Sequence, residues 1–232
     1  MTDIVPELLE KIREDFQDSV KNNAAMLRFA ELVKNGTATY KQANDYAVWC
    51  GQFLSMAYQK NITPGTLPDG RMYFNIAERI LGETLNDNYK LVSTAAEAVQ
   101  NSLNKNAGLG IKAIKPKLNQ DRIKGLVDKI SNETDFEKVA WLMNEPVVNF
   151  SQAIVEDSIK ANAEFQFKAG LDAKIVRTPE AGACEWCREV AGTYSYPDVP
   201  DDVYRRHERC RCIVEYDPGK GRTQDVWSKR WT

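Results

Sequence analysis

The chain has 232 residues, 43% of them hydrophobic and 28% charged, with 31 basic against 33 acidic side chains and a formal net charge of -2. That apolar share and low net charge exclude a disordered chain and describe a soluble globular one, long enough for one large domain or two smaller ones. They also disfavour general coating of nucleic acid, which depends on clustered Lys and Arg neutralising phosphates.

The chain reaches acidic residues at Asp3 and Glu7, without the basic start and unbroken apolar run of a secretory leader. No stretch of about 18 apolar residues exists to span a bilayer. A soluble protein made in the cytoplasm, with no membrane partner, is expected.

Val5, Leu8, Leu9, Ile12, Phe16 and Val20 form the apolar stripe of a first helix. A second, through Met26, Leu27, Ala30 and Val33, should stop at Gly36. Thr39 and Gln42 have capping-box spacing and open a third helix that runs through Tyr58. The segment 63–70, with two prolines and two glycines, is a loop on composition. Helical patterning returns from Met72 to about Asn104, with a break expected near Asn86-Asp87-Asn88. Residues 105–119 read as a connection, and Ile123, Leu126, Val127 and Ile130 mark another helix. Thr134 and Glu137 repeat the capping-box spacing and predict a helix start. Asn144-Glu145-Pro146 then introduces a long helix ending at Gly170.

Beyond Gly170 the composition changes, with Pro179, Pro197, Pro200 and Pro218 separating short β-branched or aromatic runs. Residues 173–178 and 212–216 are the predicted strands. The fold class expected is mainly α: a helical body over residues 1–144, a small α+β zinc-binding module over 145–218, and a flexible tail over 219–232. Trp227 and Trp231 in that tail are candidates to dock on a partner or to lie back on their own domain.

Four of the five cysteines fall between positions 184 and 212, as Cys184-Glu-Trp-Cys187 and Cys210-Arg-Cys212, and the single histidine, His207, precedes Cys210 by three residues. Such a set can present four soft or borderline ligands tetrahedrally to zinc. A short Pro-rich segment buries little apolar area, and a closed metal site supplies the missing folding energy. Cys184, Cys187 and Cys210 are the expected ligands, with His207 ahead of Cys212 for the fourth place and both kept as candidates. Structural disulfides are the competing reading, disfavoured by the missing leader. A redox Cys-x2-Cys lacks its usual βαβ surroundings. Cys50 sits on an apolar helix face and reads as core.

Catalysis at the metal would need an open coordination position and a carboxylate base, for which Glu185 and Glu208 are the nearby candidates; five potential ligands favour a filled site. Arg205, Arg206, Arg209 and Arg211 crowd the histidine and could form a phosphate patch. Yet the segment from Leu171 onward carries 11 basic and 11 acidic residues, so neutralisation by neighbouring acids is the preferred reading. The phosphate-cradling glycine motifs of nucleotide-binding proteins are absent.

The runs Ala173-Lys-Ile-Val-Arg-Thr-Pro179, Ala183-Cys-Glu-Trp-Cys-Arg-Glu-Val-Ala-Gly-Thr193 and His207-Glu-Arg-Cys-Arg-Cys-Ile-Val214 together resemble the C-terminal module of phage head-morphogenesis proteins, the phage Mu protein F-like minor capsid family. The resemblance covers about residues 145–216, with Gly192 at the family's glycine and the helix bearing Glu156-Asp157 where the family has one. It departs at Glu208, where the family often carries Pro. The helical first part carries no such likeness. The resemblance implies a minor structural protein of a tailed-phage or prophage head, located in the virion and, during assembly, in the host cytoplasm. It implies work in capsid assembly and DNA packaging or ejection, with the portal or major capsid protein as partner and contact with packaged DNA. Neither catalysis nor a small-molecule substrate is implied.

The alternative class is an HNH-like zinc-containing nuclease, whose mechanism needs a general-base histidine and side chains for a catalytic divalent ion. A chain with one histidine has none to spare beyond the zinc set. A host-encoded adaptor or toxin-associated module carrying the same tail is a third class.

Overall fold

The structure is a computed structural model that describes residues 3–219. The expected tail with Trp227 and Trp231 lies outside the described residues. Six helices make the body: α1 (Val5–Asn22), α2 (Ala24–Lys34), α3 (Tyr40–Asn61), α4 (Phe74–Asn106), α5 (Gln120–Ser131) and α6 (Glu145–Lys168). They are followed by β1 (Lys174–Thr178), the single-turn α7 (Glu185–Glu189), β2 (Gly192–Ser195) and β3 (Ile213–Asp217). The chain is thus mainly α, with a small C-terminal sheet.

Local signals place most of these boundaries. The Asn23 side chain accepts from the amides of Ala25 and Met26 and so caps α2. Gly36, at φ +67°, ends that helix in the left-handed conformation glycine tolerates. The Thr39 capping box forms: its amide donates to Gln42 Oε1 at 2.8 Å, and the Gln42 amide returns a longer bond to Thr39 Oγ1.

Two expectations fail for tertiary reasons. The polar triplet at 86–88 does not break α4, which is continuous. Asn88 faces inward and donates to Ser151 Oγ of α6 at 2.6 Å, while Asp87 pairs with Arg13 of α1 at the surface. The Thr134 capping box does not form. The Thr134 amide bonds to Glu133 instead, Asp135 caps a 3-10 turn at Phe136–Lys138, and a second turn covers Ala140–Met143. These two short turns bury Phe136, Leu142 and Met143.

Helix α6 is buried nearly all round, between α3 and α4 on one side and the sheet on the other. Close approach to α3 depends on Gly51, where a Cβ would stand 2.6 Å from Val148 Cα. Several polar groups that enter this interior are paired: Tyr40 with Gln100 (2.7 Å), Tyr58 with Thr84 (2.5 Å). Asn162 of α6 makes reciprocal bonds of 2.8 Å to the amide and carbonyl of Ile114, mimicking a neighbouring strand and tying down the connection between α4 and α5.

The sheet is antiparallel throughout, in the order β2-β1-β3, with Arg177 of β1 opposite Gly192 and Val214. Ile175, Val203, Val214 and Tyr216 join the same hydrophobic cluster as the helices, so sheet and body share one core. No helix among the described residues is long and apolar enough to cross a membrane.

Candidate metal centre

Two chain segments converge beside the sheet. The first leaves β1 through Gly182 at φ +83° and starts α7, with Cys184 at its N-cap and Cys187 one turn on. The spacing of three turns both sulfurs to one side of the helix end. Cys184 is exposed and Cys187 buried. The second segment is a tight knuckle, His207-Glu-Arg-Cys210, closed by the Cys210 amide on the His207 carbonyl at 3.2 Å. Arg209 takes φ +59° to make that turn. Cys210 and Cys212 both reach the cluster, but from the stretch before β3, which begins only at Ile213. Cys212, expected to open the strand over residues 212–216, thus lies just before it.

All five predicted donors come together. Cys184, Cys187 and His207 have ligand atoms within 4.8 Å of one another, as do Cys187, Cys210 and Cys212, so Cys187 belongs to both groups. His207 Nε2 lies 3.0 Å from Cys187 Sγ and 3.4 Å from Cys184 Sγ. Its Nδ1 sits 2.6 Å from the Glu208 carbonyl. With the proton on Nδ1 donated there, the Nε2 lone pair faces the two sulfurs, the arrangement in which imidazole ligates a metal. Cys187 and Cys210 sulfurs are 3.7 Å apart, far beyond a covalent S–S bond of about 2.05 Å, and all five cysteines are free.

The surroundings supply positive charge and N–H donors to sulfur. Arg177 occupies a core-facing position of β1, two residues from Ile175, and is 2% exposed. One arm donates to the carbonyls of Val203 and Arg205, at 2.5 and 2.9 Å, and the other points at Cys187 and Cys210 sulfurs, at 3.9 and 3.7 Å. Trp186 shields the cluster edge-on to His207 and lies under the Arg177 guanidinium. Burial pushes the Cys187 thiol up to about 12, helped by its contacts with Cys212 and Cys210. Burial also opposes ionisation of Cys212, but the Glu180 amide and the neighbouring thiols outweigh it and hold that thiol below its ordinary value. Without a metal, then, the cluster keeps protons on some sulfurs. A divalent ion would displace them.

Each of the four crowded arginines has a carboxylate partner. Arg205 pairs with Asp202 (2.9 Å), Arg206 with Glu156 (2.7 Å) and Arg209 with Glu208 (3.7 Å), while Arg211 grips both oxygens of Glu145 at 3.0 Å. Arg206 and Arg211 point into the body rather than outward. No family model, curated protein or solved structure matches the chain.

Sequence reasoning found the five donors but missed Arg177, Gln152 and Glu156, and the strand β2. The signal for Arg177 was present in the alternation of Lys174 to Thr178, which puts it on the face of Ile175. Gln152 and Glu156 stand one turn apart in the largely buried run from Val147 to Ile159, where a polar side chain needs a partner. Which partner depended on the tertiary fold.

Proposed function

We propose that the chain is a minor structural protein of a tailed-phage or prophage head, acting in capsid assembly and in DNA packaging or ejection beside the portal. Its C-terminal module carries one structural zinc ion. The convergence of Cys184, Cys187, His207, Cys210 and Cys212 carries this reading, because the motif that resembles head-morphogenesis proteins gathers its donors into two groups joined by Cys187. Thiolates with imidazole suit zinc, and five donors are enough to fill a tetrahedral site. A groove of about 530 Å³ that reaches the knuckle is lined by Arg206 and Glu208 but by none of the five donors, which favours a structural over a catalytic role. The pairing of the arginines with acids favours protein partners, the portal or major capsid protein, over a DNA-coating role. In this reading the protein resides in the virion head and, during assembly, in the host cytoplasm.

Two measurements test it. Elemental analysis of protein purified without added metal or an affinity tag should find about one zinc per chain, with the clustered thiols protected until chelation. Purified heads from a lysate that produces the protein should contain it in few copies. Zinc-free protein, or heads lacking the chain, would overturn the respective half of the proposal. Plasmid nicking with Mg²⁺ that His207→Ala abolishes would replace it with the nuclease reading.

A further inference from the structure

Glu156 stands in the middle of α6 at 2% exposure, the one acidic side chain among that helix's buried residues. Neither carboxylate oxygen has a hydrogen bond; the residue is held by charge alone, with Oε1 2.7 Å from Nε of an equally buried Arg206. Burying an ion pair is costly, and apolar residues of similar volume commonly serve stability as well. Packing is therefore a poor reason for the pair.

Its geometry offers another. Arg206 directly precedes His207, and its guanidinium touches both sides of the junction between body and knuckle. Toward the body it reaches Glu156 and, at 3.1 Å, Asn44 Oδ1 of α3. Toward the knuckle it donates to the Cys210 carbonyl at 3.2 Å and points at Cys210 Sγ at 3.8 Å. Gln152, one turn before Glu156, completes the frame. With its amide oriented to suit its neighbours, its oxygen accepts from Arg206 at 3.0 Å and its nitrogen donates to the Cys210 carbonyl at 3.2 Å. Both ends of the knuckle are thus fixed from α6, though no α6 side chain belongs to the donor set.

Formal charge fits the same role. A divalent ion with three thiolates and a neutral imidazole carries one negative charge. The two buried guanidiniums, Arg177 and Arg206, bring two positive charges to the interior. One of these offsets the metal site, and Glu156 offsets the other.

We propose that Glu156 is a positioning residue for the metal: through Arg206 it holds the His207–Cys210 knuckle in ligating geometry, so that tight metal binding requires the module to be docked on α6. The proposal rests on the closed metal site proposed above. Residues outside the ligand set that orient ligands commonly change metal affinity by about 10–100-fold.

The test uses the full chain, stripped of metal and titrated with Zn²⁺ at pH 7.5 against a chromophoric chelator, with Co²⁺ absorption as a second readout of thiolate ligation. Glu156→Gln should bind Zn²⁺ at least about 10-fold more weakly while keeping its helical circular dichroism. Arg206→Lys should do the same, and the double variant should be little worse than either single one, because both break one link. Ser151→Ala, on the same helix as Glu156, loses the buried bond to Asn88 of α4 and should leave the affinity at the wild-type value. If Glu156→Gln does not fold, Arg206→Lys carries the test. Wild-type affinity in the folded Glu156→Gln or Arg206→Lys protein, or an equal loss in Ser151→Ala, would overturn the positioning role while leaving the metal site intact. Failure of the wild-type chain to bind either ion would overturn the closed site and this inference with it.

Discussion

Replacing Gly51 by alanine gives a sharp test of how α3 and α6 meet. An added Cβ would lie 2.6 Å from Val148 Cα, 2.9 Å from Ser151 Oγ and 3.2 Å from the Val147 carbonyl. Two of these three atoms are backbone, so relief requires moving a helix rather than a side chain. Overpacking of this kind costs about 1–3 kcal/mol, occasionally more, and a rigid helix axis on the receiving side argues for the upper part of that range. Alanine recovers up to about 1 kcal/mol from its better helix propensity. The net expectation is destabilisation by about 1–2 kcal/mol, a fall in Tm of roughly 2–8 °C for a protein of this size. Gly82 in α4 and Gly125 in α5 are the internal controls, since nothing lies within 4 Å of a Cβ built at either. Alanine there should gain about 0.5–1 kcal/mol from propensity and the smaller entropy of the unfolded chain. Thermal and urea unfolding of the three variants, followed by circular dichroism, should therefore show opposite signs for one chemical change. A Gly51→Ala protein as stable as the wild type would refute the close helix contact.

Cys187 belongs to both donor groups, so Cys187→Ser should abolish metal uptake, whereas the other four single variants should leave residual binding. Elemental analysis and Co²⁺ absorption check this, and equal residual binding in Cys187→Ser would contradict its central place. Chelation should disrupt the near-UV signal around Trp186 while leaving most helicity intact, because the helices hold their own hydrophobic contacts. Tyr40→Phe removes the 2.7 Å bond to buried Gln100 and should cost about 1–3 kcal/mol in urea unfolding, the penalty of an unsatisfied buried acceptor. Asp15 is held below its ordinary carboxylate value by hydrogen bonds from Lys60 and Asn61. Because the folded state binds that proton less tightly than the unfolded chain, its stabilisation is present above the ordinary carboxylate pKa and is lost as pH falls through the depressed value. Asp15→Asn should accordingly lower the urea midpoint at pH 7, and the difference should vanish in strong acid.

The local grammar of the chain determined where most helices begin and end. Val5 to Val20 announce α1 by spacing, Thr39 and Gln42 cap α3 through atoms three residues apart, and Gly36 and Gly170 stop helices because their backbones turn left-handed. The metal donors were legible for the same reason: Cys-x2-Cys sets Cys184 and Cys187 one helical turn apart, and His-x2-Cys closes a backbone turn between His207 and Cys210. Wherever a contact joined distant parts of the chain, that legibility ended. The triplet Asn86-Asp87-Asn88 looks like a helix break until Asn88 meets Ser151, 63 residues away. Thr134 has the right spacing for a cap, yet burial of Phe136, Leu142 and Met143 settled those residues into short 3-10 turns. Glu156 and Arg206 are 50 positions apart and individually unremarkable. Only the packing of α6 against the knuckle makes them a buried pair, because a charge inside a protein takes its meaning from its partner, which spacing along the chain does not specify.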